Sequence, residues 1–177
     1  MFWEKETHYP FTRINVQETG LPDPIRISLY RFKAKRRNYL VTIEEYSFGI
    51  HAIKYCGMKD RRNKNAYRIV YNDDDGIRVI STCLKIMRTL WQANPEISFA
   101  FYAVPKPAGL KNTEARYEVY EYAMTNLFPS SHFRHYKDRR HLLYVLLNKS
   151  HKKKKATIKA AGQFLLAEYE MIFEPEG

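Results

Sequence analysis

The chain has 177 residues, of which 45% are hydrophobic and 15% aromatic, so it can build a core and predicts one domain. No apolar stretch is long enough to span a membrane, and the first residues lack a secretory signal pattern, so we expect a soluble, cytoplasmic protein. Thirty Lys and Arg against nineteen Asp and Glu leave a net charge of +11, which favours polyanionic partners.

The first 72 residues predict an irregular segment followed by an antiparallel meander. Residues 1–23 carry aromatic side chains among polar ones, and we expect them to be an irregular lead-in that packs onto the body. Short connections between successive strands favour antiparallel pairing. Four strands are predicted between residues 24 and 72, namely IRISLYRF, NYLVTIEEY, FGIHAIKYCGM and YRIVY.

Two turns of this meander are strongly basic, and alternate turns of a meander project from the same end of a sheet. We therefore expect the two turns to lie side by side as an anion site. The same topology predicts Asp74 at the far end, beside Glu44 and Glu45, with the sheet basic at one end and acidic at the other. The basic residues are Lys33, Lys35, Arg36 and Arg37 in one turn, and Lys59, Arg61, Arg62 and Lys64 in the other.

Residues 67–105 predict a strand, a helix and a parallel strand, a right-handed crossover. Asp73, Asp74 and Asp75 precede the helix; they suit an N-cap, and the alternative is catalysis or metal binding. The helical spacing predicts a buried face of Ile80, Cys83, Leu84, Met87, Leu90 and Trp91, opposite a polar stripe of Arg78, Ser81, Lys85, Arg88 and Gln92.

A second helix and a closing hairpin follow in the sequence. The spacing of Tyr117, Tyr120, Met124 and Leu127 predicts a buried helix face. The runs HFRHYK and HLLYVLLNK predict the hairpin, completing one α+β domain over residues 24–149 with a mixed sheet. The histidines of this region do not have the spacing of a zinc motif, so we expect surface imidazoles at His132, His135 and His141.

Residues 150–177 predict a basic connector and a carboxy-terminal helix. The charges oppose the helix dipole, because lysines come first and glutamates last. The lysine run is therefore either a flexible connector or an auxiliary polyanion contact, formed by Lys152, Lys153, Lys154 and Lys155.

The order of elements over residues 38–148 resembles the core of the GNAT acetyltransferase superfamily, and residues 117–133 and 142–147 are similar to its closing section. The resemblance implies a coenzyme A pyrophosphate site at the start of the helix after strand four, in a glycine-rich loop. This chain has NDDDG there, whose three carboxylates repel a pyrophosphate, so the cofactor site is absent or rebuilt. The same segment also resembles a helix start in small uncharacterised bacterial proteins, through Asn72, Asp75, Val79 and Thr82.

These observations predict a non-catalytic basic protein that binds nucleic acid through phosphate contacts, with no cofactor or metal. One alternative is a GNAT-like acyltransferase with a rebuilt site, in which Tyr120 or Tyr144 is a candidate proton donor. Another is an adaptor or inhibitor that docks on an acidic protein surface. Cys56 and Cys83 are 27 positions apart in predicted apolar faces, so we expect buried thiols in a reducing compartment.

Overall fold

Strands and helices alternate only in the second half of the chain. The computed structural model describes residues 8–69, 71, 74–102, 115–140, 142–151, 157, 159–160 and 162–163. The α-helices within these residues are α1 Gly76–Ala93 and α2 Ala115–Leu127. The strands are β1 Phe11–Glu18, β2 Arg26–Lys33, β3 Asn38–Glu45, β4 Ile50–Gly57, β5 Ser98–Tyr102, β6 Phe133–Asp138 and β7 Leu143–Asn148.

These strands form one seven-stranded mixed sheet in the order β1-β2-β3-β4-β5-β7-β6. Strands β1 to β4 are an antiparallel meander, and β6 with β7 is the closing hairpin. Strands β4 and β5 run parallel on either side of the α1 connection, pairing from Ile50↔Ser98 to Ala52↔Ala100. The predicted α+β class, with a meander, a crossover and a hairpin, is confirmed. Residues 157, 159–160 and 162–163 are helical, where a carboxy-terminal helix was predicted.

The meander begins one strand earlier than predicted. Phe11–Glu18, expected to be part of an irregular lead-in, pairs with β2 from Phe11↔Phe32 to Glu18↔Arg26. As an edge strand it leaves Ile14 42% and Val16 45% exposed, and its register shifts between Arg13 and Asn15. A bulged strand with little burial on either face lacks the clean alternation by which sequence analysis recognises strands.

The predicted fourth strand, YRIVY, is wrong. Ala66–Arg68 is a 3₁₀ turn, and neither residue 69 nor residue 71 is in a strand. The alternating apolar residues instead pack on the sheet: Tyr67 lies against the cluster of Leu40 and Cys56, and Tyr71 lies against the main core. The strand parallel to β5 is therefore β4, eighteen residues before α1.

The main core lies between one face of the sheet and the two helices. Of the predicted α1 face, Ile80, Cys83, Leu84 and Met87 are buried, and Leu90 and Trp91 pack beside them. Ser81, predicted to face solvent, is 7% exposed, because the buried arc of α1 is wider than one stripe. The tyrosine row of α2 is core as predicted: Tyr117 and Tyr120 are buried, and the Tyr120 ring stacks 3.7 Å from Phe101.

Candidate polyanion-binding site

The first basic turn joins β2 to β3. Strand pairing ends at Lys33↔Asn38, and the Ala34 N–H closes the turn by donating to the Arg37 carbonyl at 3.0 Å. Lys33, Lys35 and Arg36 are exposed. Arg37 is half-buried, with its guanidinium 4.1 Å from the centre of the Tyr71 ring. The side chains of Lys33, Lys35 and Arg36 are therefore open to solvent at this end of the sheet.

The second basic turn follows β4 directly. Met58–Asp60 forms a 3₁₀ turn, and the Asn63 N–H then donates to the Asp60 carbonyl at 2.8 Å. Arg61 bonds the Met58 carbonyl at 2.8 Å through an exposed guanidinium nitrogen. The four cations of this turn are all exposed, namely Lys59, Arg61, Arg62 and Lys64.

The two turns lie at the same end of the sheet, as predicted, because Tyr39 at the start of β3 pairs with Gly57 at the end of β4. Between them is a cleft of about 450 Å³, lined by residues 33–38 and 57–60. Five cations line it: Lys33, Lys35, Arg36, Arg37 and Lys59. The other three basic residues, Arg61, Arg62 and Lys64, continue the second turn beyond this cleft.

A tyrosine that sequence analysis did not select holds the second turn against the sheet. The Tyr71 hydroxyl accepts the Gly57 N–H at 2.8 Å and donates to Asp60 Oδ2 at 2.6 Å. Burial, and then the hydrogen bond to the Asp60 carboxylate, raises the pKa of Tyr71. A side chain at residue 57 would not fit, because a Cβ there would lie 2.6 Å from the Tyr71 hydroxyl oxygen. Tyr71 therefore fixes both ends of the 3₁₀ turn Met58–Asp60.

The aspartates before α1 lie at this basic end, so their predicted position at the far end is wrong. Asp74 Oδ1 is 3.8 Å from Arg36 Nε, and Asp75 Oδ2 accepts the Lys35 N–H at 3.4 Å. The error follows from the false strand at YRIVY, which would have carried the chain back across the sheet. Residues 58–69 and 71 instead connect the end of β4 to an α1 that starts at the same end.

Asp75 is the N-cap residue of α1, yet its side chain makes no capping hydrogen bond. Its carbonyl accepts the Val79 N–H at 3.0 Å, while Oδ2 accepts the Tyr9 hydroxyl at 2.7 Å. The Tyr9 N–H also donates to Thr82 Oγ1 at 2.8 Å, and the Arg78 guanidinium lies 4.1 Å from the Tyr9 ring centre. Asp75 thus connects Tyr9, which lies in the segment predicted to pack on the body, to the start of α1.

The predicted acidic end is largely neutralised. Arg26, Glu45 and His51 stand in register on adjacent strands, with Arg26 Nη1 3.0 Å from Glu45 Oε2 and His51 Nε2 3.6 Å from the same oxygen. Glu44 is paired with Lys54 at 2.8 Å and accepts the Tyr46 hydroxyl at 2.7 Å. Among the described residues, Glu44 and Glu45 are thus paired with cations, whereas most cations of the basic end are exposed.

His135 and the two cysteines are at least half-buried. His135, predicted to be a surface imidazole, is half-buried, with Nδ1 2.6 Å from the Tyr144 hydroxyl and Nε2 2.9 Å from the Phe128 carbonyl oxygen. The described residues contain no cluster of three His, Cys, Asp or Glu side chains able to hold a metal ion. Cys56 and Cys83 are buried free thiols, and burial raises the pKa of Cys56 to about 11. His141 and Lys152, Lys153, Lys154 and Lys155 lie outside the described residues.

The fold and the site together define an α+β protein with a mixed sheet and a cationic cleft at one end. No family of proteins, no curated protein and no solved structure matches this chain. None of the helices in the described part of the chain is long and apolar enough to cross a membrane.

Proposed function

We propose that this protein is a non-catalytic nucleic-acid-binding protein that contacts the phosphate backbone with the basic end of its sheet. The observation that carries the proposal is that two turns separated in sequence contribute five basic residues to the lining of one cleft. Cations positioned around one concave surface neutralise adjacent phosphates together, and each neutralised phosphate releases condensed counterions. The proposed contact residues are Lys33, Lys35, Arg36, Arg37, Lys59, Arg61, Arg62 and Lys64, with Lys152, Lys153, Lys154 and Lys155 as an auxiliary set.

Carboxylates at this end do not cancel its charge. Eight basic residues of the two turns face three described carboxylates, those of Asp60, Asp74 and Asp75. Asp75 is 6% exposed and satisfied in part by Tyr9, and Asp60 is held by Tyr71. Only Asp74 is an exposed competitor, since its side chain is 64% exposed in the long contact with Arg36. Seven of the eight cations are themselves exposed to solvent.

Filter binding to random single strands and duplexes at low and moderate salt tests this proposal. Retention that weakens steeply with salt and depends little on base sequence is the expected result, since phosphate contacts carry no sequence information. Absence of retention at low salt would refute it. If the purified protein instead captures an acidic protein from nuclease-treated lysate through the same residues, the adaptor or inhibitor function takes its place.

An acyltransferase with a rebuilt cofactor site is a second proposal, supported by the parallel pairing of β4 and β5 across α1. In open sheets with parallel strands, ligands bind outside the carboxyl ends of these strands. Two features weigh against it here. The Gly57 N–H at the carboxyl end of β4 is already bonded to Tyr71, and carboxylates precede α1. A rise in melting temperature with acetyl-coenzyme A, but not with oligonucleotides, would favour the acyltransferase.

A further inference from the structure

We infer that the basic cleft takes the backbone of a single strand of nucleic acid in preference to a duplex. This inference rests on the proposed function and narrows it to one class of ligand. It depends on the shape of the cleft, on which residues line it, and on what the lining lacks.

The site is concave, whereas the reading of bases in a duplex relies on an element that enters a groove. B-DNA admits a helix or a two-stranded ribbon into its major groove, which is about 12 Å wide. Here the cations line a cleft of about 450 Å³, within the range of roughly 300–1,000 Å³ typical of small-molecule pockets. A cleft of this size accommodates a few units of a single sugar-phosphate chain, while a duplex touches only its rim.

The cations are distributed over both sides of the cleft. Lys33, Lys35, Arg36 and Arg37 come from the turn between β2 and β3, and Lys59 comes from the turn after β4. A single strand lying between them meets cations on two sides, which matches the charged grooves that track the backbone in proteins binding single strands. A rigid duplex is too wide to enter the cleft and meets only the cations at its rim.

The described residues that line the cleft include no aromatic side chain. Tyr71, whose hydroxyl bonds to the lining residues Gly57 and Asp60, is half-buried. The Arg37 guanidinium lies 4.1 Å from its ring centre, and the Tyr39 ring packs against it in a T-shaped pair. Stacking of bases on aromatic rings supplies much of the affinity and some of the sequence preference in other single-strand binders. This cleft therefore reads phosphates alone, and its single-strand binding is independent of base composition. If each of the five cations neutralises one phosphate, the plot of log K against log salt has a slope of about −3.5.

Blocking the cleft without changing its charge tests the inference. Asn38 is exposed and lines the cleft, and the two native cysteines are buried, so the substitution Asn38→Cys offers one accessible thiol for a bulky neutral maleimide. Gln92→Cys, on the exposed face of α1 near the other end of the sheet, is the matched control. Fluorescence anisotropy then compares a short oligothymidine, a short oligoadenosine and a hairpin duplex with the same number of phosphates.

Labelling at residue 38 is expected to weaken binding of both single strands at least about tenfold and to leave the weaker duplex binding nearly unchanged. Labelling at residue 92 is expected to change neither. Single-strand binding unaffected by the label at residue 38, or duplex binding as tight as single-strand binding, would overturn the inference while leaving the proposed function intact. No binding of any oligonucleotide by the unlabelled protein at low salt would refute the proposed function itself, and the inference with it.

Discussion

Replacing four arginines by alanine should strongly weaken nucleic-acid binding while changing the stability of the protein little. These are Arg36, Arg37, Arg61 and Arg62. Arg36 contributes only an exposed contact to Asp74 at 3.8 Å, worth at most about 0.5 kcal/mol. Arg37 loses its position over the Tyr71 ring, worth about 0.5–1 kcal/mol. The exposed hydrogen bond from Arg61 to the Met58 carbonyl adds at most about 0.5 kcal/mol. We therefore expect the free energy of unfolding, measured with urea, to fall by less than about 2 kcal/mol.

The effect of the same four substitutions on binding should be much larger. If each arginine neutralises one phosphate of a single strand, the salt slope becomes shallower by about 2.8. At about 0.1 M salt, the lost counterion release alone corresponds to a decrease in affinity of roughly 600-fold. Fluorescence anisotropy over a series of salt concentrations measures both quantities. These values are upper limits, because Arg61 and Arg62 lie beyond the cleft.

A control variant distinguishes local contacts from net charge. Arg13, Arg88, Arg134 and Lys149 are exposed on β1, on α1, on β6 and after β7, and their replacement by alanine removes the same total charge. Its salt slope should stay close to that of the native protein. If the two variants lose affinity equally, binding follows overall charge and the basic end has no special role. An unchanged slope in the first variant would refute the phosphate contacts outright.

Three further predictions concern single side chains. Asp74→Asn should raise nucleic-acid affinity about two- to fivefold at low salt, because its carboxylate competes for Arg36, whereas Glu96→Gln at the other end should not. Tyr71→Phe should lower the free energy of unfolding by about 1–2 kcal/mol, because the hydrogen bonds to Gly57 and Asp60 are lost. If Tyr136→Phe, an exposed control, lowers it equally, Tyr71 does not stabilise the second turn. Burial lowers the pKa of His135, so its NMR titration midpoint should lie below 6.5, and the stability that it contributes should be lost as pH falls through 6.5 towards that midpoint. A midpoint at or above 6.5 would show that the ring is not desolvated as described.

The basic end could be predicted from the sequence because its position depends only on strands β2, β3 and β4 and on the turns that follow β2 and β4. Strands β2 and β3 carry enough alternation to be found, and β4 is recognised as a run that is apolar on both faces. Their antiparallel order places the two turns together. The position of Asp74 depended on one more strand, and YRIVY has the alternation of a strand without being one. Alternation indicates only that every second side chain is directed towards apolar surroundings. Tyr67 and Tyr71 pack against the sheet without being part of a strand, and this packing produces the same sequence pattern.

The partners that build the site were beyond the reach of sequence patterns. Tyr71 meets Asp60 across eleven positions, and Tyr9 meets Asp75 across 66. Neither spacing belongs to a helix, a strand or a turn, so no local periodicity records it. A half-buried tyrosine hydroxyl needs a polar partner, but the sequence does not specify which of many carboxylates supplies it.

The parallel pairing between β4 and β5 that joins the two parts of the sheet is short. The pairing covers three residue pairs, Ile50↔Ser98 to Ala52↔Ala100, although β4 continues to Gly57. On one side, β1 to β4 are contiguous in the chain and close through local hairpins, which form early because little chain entropy is lost. On the other, β5 must wait for β7, more than forty residues later. In hydrogen-exchange experiments during refolding, we therefore expect the amides of the meander to become protected first. The amides of β5 and β7 should become protected together at a later time. Since both basic turns belong to the meander, we expect the basic end of the molecule to be assembled before the second half of the sheet docks against it.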